Sequence, residues 1–90
     1  MKTIYKYPLR HVGSQELEMP QGAQILSCQA QQGVPCVWAL VTTESPKVNR
    51  VFRVLLTGAH ADPLLTAVHI GTVLLDEGNF VVHVFDEGER

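Results

Sequence analysis

The sequence predicts a mainly β chain, a small antiparallel sandwich or partly open barrel of six to seven strands. Three observations carry this. The stretch Ile25 to Thr42, ILSCQAQQGVPCVWALVT, has two apolar-rich runs flanking Gln31-Gln32-Gly33, the pattern of a β-hairpin. Three later runs repeat the strand signature, and no segment sustains a helical period. Short strands joined by short turns within 90 residues fit a single domain spanning 1–90.

Each element has its own reason. Thr3 to Tyr7 (TIYKY) opens as a strand, with Pro8 marking its end or an edge position. His11 to Ser14 reads as a turn. Gln15 to Met19 (QELEM) alternates, placing Leu17 and Met19 on one face and Glu16 and Glu18 on the other. Pro20-Gln21-Gly22 is a turn, with Pro suited to the first corner and Gly to a positive φ. The central hairpin follows. A three-residue loop with Gly33 in the left-handed position pairs residue 30 with 34 and sets Cys28 opposite Cys36, the geometry of a cross-strand disulfide. In a reducing cytosol the pair is expected instead as two thiols, at least one of them packed in the core.

Glu44 to Asn49 is a polar loop, Arg50 to Thr57 a strand, and Gly58 to Pro63 a break. Leu64 to Val68 reads as a helical turn after Asp62-Pro63. His69 to Leu75 and Phe80 to Phe85 are strands joined by a tight turn, Asp76 to Asn79, and the tail is polar. The expected core holds Ile25 or Leu26, Trp38, Leu40, Phe52, Val54, Ile70 and Val82. Leu9, Val12 and Leu64 to Val68 have no obvious place in it, and such uncovered apolar residues, with unpaired strand edges, predict a homo-oligomer.

Composition excludes several classes. A net charge of −2 argues against binding a nucleic-acid polymer, which calls for a basic stripe. Asp76, Glu77, Asp86, Glu87 and Glu89 gather late in the chain and read as a solvated turn and tail. No apolar run approaches the ~20 residues of a membrane-spanning helix. MKTIYKYPLR lacks the apolar core of a signal peptide, so the cytoplasm is the expected compartment.

The histidines at 11, 60, 69 and 83 have no compact metal-ligand spacing, even with Asp62 added, so no metal or other cofactor is expected. Ser27 and Cys36 sit in no nucleophile elbow, and no catalytic residue is assigned. Thr57-Gly58-Ala59-His60 is a small-residue turn after a strand, able to offer backbone N–H groups to an anion. Arg53 shares a face with Val51, Leu55 and Thr57, so its guanidinium must pair or reach a ligand. A salt bridge with a glutamate, such as Glu16 or Glu18, is expected ahead of a phosphate or carboxylate ligand. Trp38 is expected in the core rather than as a stacking platform.

The segments MKTIYKYPL, MPQGAQILS, QAQQGVPCVWALV, IGT and VVHVF resemble a family of short uncharacterised proteins encoded by phages and prophages. Members carry a Thr-Gly-His-like stretch after the Arg-containing strand, and here Ala59 is inserted into it. The resemblance implies a small β-rich protein in the cytoplasm of an infected bacterium. It suggests a non-enzymatic binding protein that counters host defence by sequestering a small phosphorylated ligand such as a signalling nucleotide. The alternatives are direct masking of a host defence protein and, last, a small histidine-dependent phosphodiesterase. The residues expected to hold the ligand are Arg53, Thr57, His60, Thr72 and His83.

Overall fold

The computed structural model describes residues 1–61 and 67–90. Among them, seven strands form two antiparallel sheets: β1 (Lys2–Pro8), β2 (Gly13–Pro20), β3 (Gln24–Gln31), β4 (Val34–Thr42), β5 (Lys47–Leu56), β6 (Val68–Leu75) and β7 (Phe80–Glu89). One sheet has the order β1-β4-β3 and the other β2-β5-β7-β6, so the molecule is a sandwich and neither sheet closes into a barrel. Its thinnest extent is 16 Å, the room needed for two sheets stacked about 10 Å apart. No described helix is long and apolar enough to cross a membrane. The helical turn expected from Leu64 falls on residues outside the described set, except that Val68 already belongs to β6.

The alternation in β2 is borne out. Met19 is fully buried and Leu17 packs against the core, while Glu16 and Glu18 face solvent. β5 begins at Lys47, earlier than the polar composition of Glu44 to Asn49 suggested, because Lys47, Val48 and Asn49 pair with Pro20, Met19 and Glu18. The turn after β2 places Gly22 at positive φ, as expected. Pro20, however, sits before the first corner, and Ala23 N–H closes the turn on its carbonyl at 3.3 Å.

The hairpin loop is one residue shorter than predicted. Gln32 (φ 53°) and Gly33 (φ 78°) are both left-handed, which makes a two-residue turn of the I′ kind, and Gln31 pairs with Val34. That single step moves Cys28 opposite Val37 and Cys36 opposite Gln29, on opposite faces of the sheet. The cross-strand disulfide geometry is thereby lost, and both thiols are free. Burial, and secondarily the neighbouring Cys36, pushes the Cys28 thiol up to about 11.

The inner faces supply Val37, Ala39 and Val41 from β4, Phe52 and Val54 from β5, Val73 and Leu75 from β6, and Val82 and Val84 from β7. Phe52, Val54 and Val82 stand where the sequence placed them, with Ile25 and Ile70 packed alongside. Trp38 and Leu40 do not: they alternate with the buried residues of β4 and project from the opposite face of its sheet. β4 is apolar on both sides, so period-two alternation alone leaves its inward face undecided. Leu26 is likewise 44% exposed, whereas Leu9, for which no core place was foreseen, is buried.

Two contacts join the layers. At one side β3 runs beside β6, and a Cβ added at Gly71 would lie 2.9 Å from Cys28 Cβ and 3.4 Å from its carbonyl oxygen. Only glycine fits there. At one end of the sandwich, Arg50 makes a fork with Asp86 (Nε–Oδ1 3.2 Å, Nη2–Oδ2 2.6 Å) and donates a further bond from Nη1 to Ala23 O at 2.6 Å. Glu89 Oε2 accepts from Gly22 N–H at 2.6 Å.

The acidic tail is therefore not a solvated one. It is the second half of β7, and Asp86 and Glu87 are each only 10% exposed. A bulge at Glu87, between the Val51–Gly88 and Phe52–Asp86 pairs, turns these carboxylates toward the arginines of β5.

Two stability outcomes follow. Gly71→Ala should lower stability by about 1–3 kcal/mol in urea titration, and Cys28→Gly in the same chain should return part of that loss. Arg50→Ala should cost about 3 kcal/mol, since it strands a mostly buried carboxylate, and Arg50→Lys should recover less than half because an ammonium has no fork.

Candidate functional site

The outer face of the four-stranded sheet gathers most of the residues singled out for binding. β7 alternates, so Val82 and Val84 point inward while Val81, His83 and Phe85 point outward. Beside His83 on one flank Thr57 follows the end of β5, and on the other Thr72 lies directly opposite in β6. His83 Nε2 is 2.7 Å from Thr57 Oγ1, and its Nδ1 is 3.1 Å from Thr72 Oγ1. Thr72 Oγ1 is in turn 3.2 Å from His69 Nε2. The result is a continuous polar row, Thr57–His83–Thr72–His69, running from the end of β5 across β7 to β6.

The row is held by its surroundings. Thr57 N–H donates to Val81 O at 3.2 Å, which fixes the residue against β7 after β5 ends. The His69 ring meets Phe85 edge-on, with centroids 5.3 Å apart, and lies 6.3 Å from the His83 ring. Each threonine hydroxyl both donates and accepts, and an imidazole has two ring nitrogens, so the row can reorient its protons toward an incoming acceptor or donor without moving its heavy atoms.

Of the five predicted residues, Thr57, Thr72 and His83 are brought together. Arg53 is on the same face, opposite Phe85, but its Nε lies 2.9 Å from Glu87 Oε1 in an ion pair too bent for a hydrogen bond. The expected salt bridge with a glutamate is thus present, but Glu87 makes it rather than Glu16 or Glu18, since Ser14 is the β2 residue across from Arg53. Arg90 approaches the other oxygen of Glu87 at 3.8 Å. His60 is exposed and follows the turn beyond β5.

His69 belongs to the row and was not among the predicted residues. By parity alone, His69 and Thr72 project from opposite faces. A bulge at Ile70, between the His69–Phe85 and Gly71–Val84 pairs, restores His69 to the outer face. Gly71 directly after it was the one local signal, since glycine inside a strand often marks a bulge.

A shallow concavity of about 140 Å³ opens next to the row, lined by Leu55, Thr57, Gly58, Ala59, His83 and Phe85 among others. It is smaller than an ordinary small-molecule pocket and of a size for one phosphoryl group.

The chain belongs to the DUF7352 family, a domain of unknown function, which matches residues 1–90. No curated protein and no solved structure matches it.

Proposed function

We propose that this DUF7352 chain is a non-enzymatic binding protein that holds a small phosphorylated ligand on the outer face of its four-stranded sheet. In the phage setting implied by the sequence resemblance, that ligand is a signalling nucleotide sequestered from host defence in the bacterial cytoplasm. The observation that carries the reading is the hydrogen-bonded row Thr57–His83–Thr72, with Arg53 on the same face. A phosphoryl group in the concavity meets the Thr57 hydroxyl, with the His83 imidazole hydrogen-bonded behind it. Arg53 joins only by exchanging Glu87 for the ligand, a like-for-like replacement of one anion by another. Both ring nitrogens of His83 are engaged by threonines, which suits it to a hydrogen-bonding role rather than proton transfer.

A panel of cyclic nucleotides incubated with the purified protein, separated, denatured and analysed by mass spectrometry tests this. Intact nucleotide should be recovered, with affinity reduced about tenfold or more in Arg53→Ala and in His83→Ala while the circular dichroism is unchanged. A cleaved product would revive the phosphodiesterase reading.

Masking of a host defence protein is the second reading, favoured by a different observation. Among the described residues β1 is an edge strand with no neighbour on its outer side, and Ile4 (56%) and Tyr5 (42%) on it are exposed. Such an edge accepts an added strand. Without bound nucleotide, a co-purifying host protein would favour this reading.

The same edge supports self-association. Light scattering at high micromolar concentration should show a particle of two or more chains, and Ile4→Lys, which puts a charge on the edge strand, should shift it to the monomer.

A further inference from the structure

The two ends of the sandwich differ. Arg50, Asp86, Ala23 and Glu89 close one end with hydrogen bonds. Six residues along β5, about 20 Å away at strand rise, Leu56 stands at the other end, and there the layers part. A cavity of about 480 Å³ enters between them. It lies on the inward side of the strand ends whose outward side carries Thr57 and His83, so it is separate from the row.

Its floor is core: Val82 and Leu75 are 1% and 5% exposed. The walls are large apolar residues that remain open to water, Val12 at 50%, Leu56 at 39% and Phe80 at 53%. One rim is pinned because His11 Nε2 bonds Gly33 O at 2.9 Å, joining the β1–β2 connection to the hairpin turn. The opposite rim is the β6–β7 turn, where Asp76, Glu77 and Gly78 are all left-handed (φ 50°, 56° and 88°). Left-handed φ at two successive non-glycine residues is strained backbone, kept here at the mouth of a cavity.

We infer that this open end binds a small apolar molecule carrying an amine. Volume and lining fit an apolar body of up to drug size. Charge selects the head group: Asp76 is the acid among the described lining residues, Glu77 follows it in the turn, and the lining holds neither lysine nor arginine. The one basic lining side chain, His11, is already bonded to the hairpin. An ammonium at the mouth meets the Asp76 carboxylate, whose Oδ2 also accepts from Asn79 Nδ2 at 3.4 Å, and a carboxylate head is repelled.

Decylamine, decanoate and decanol, titrated below their micelle-forming concentrations and followed by calorimetry, separate the head groups at constant apolar body. The amine should bind saturably and at least about fivefold more tightly than the carboxylate, with the alcohol between. Asp76→Asn removes the charge yet suits a left-handed residue, and should bring the amine and the alcohol within about twofold. Phe80→Ser, at an exposed wall position, should weaken all three with little change in melting temperature. Absence of saturable binding, decanoate binding as tight as the amine, or affinities untouched by Phe80→Ser would each overturn the inference. So would a dimer that Phe80→Ser splits into monomers, because the cavity would then be a contact between copies.

Discussion

The close approach of β3 and β6 at Cys28 and Gly71 is the constraint on which the two-layer arrangement depends. The edge of the three-stranded sheet lies against the edge of the four-stranded one, with no room for a side chain on the second strand. That contact brings β6 over the core, so that Val73 and Leu75 join Val82 and Val84 of β7 in facing the inward residues of β4. It also sits one residue beyond the bulge at Ile70, which turns His69 outward. Core closure and the outer polar row thus rest on the same few residues of β6.

From that closed side the sandwich is finished differently at each end. Arg50 lies within a mostly apolar inner face, an expensive position for a cation, and the fork with Asp86 together with the carbonyl of Ala23 takes up three of its five N–H donors. The bulge in β7 makes this geometry available, and it places Glu87 under Arg53 on the other face. The opposite end has no comparable set of polar ties across its mouth among the described residues, and there apolar side chains of the core continue to the surface.

Legibility followed the kind of information each feature needed. Met19 and Glu18 sort themselves by alternation, and the glycines at 22 and 33 mark their turns through positive φ. Trp38 was misplaced because β4 carries large apolar residues on both faces. The cysteine register was misplaced by one residue because Gln32 adopts a left-handed conformation that glutamine composition gives no reason to expect. In the candidate site, Thr57 was singled out by sharing a strand face with Arg53, and Thr72 and His83 by residue type. His69 was not, because a bulge reverses parity, and the partner of Arg53 was not, because Glu87 is distant in sequence and also sits at a bulge.

By itself the sequence determined a β-rich chain, the approximate course of its strands, the inward set Phe52, Val54 and Val82, and the polar residues worth weighing. These follow from local backbone preference and a two-residue period, both of which act between near neighbours. Only the tertiary structure decided which face of β4 is inside, which arginine is locked and by which acid, how His69 and His83 align, and that one end of the sandwich is open among the described residues. Each of those depends on register and bulges between strands far apart in the chain, where a shift of one residue exchanges one face for the other.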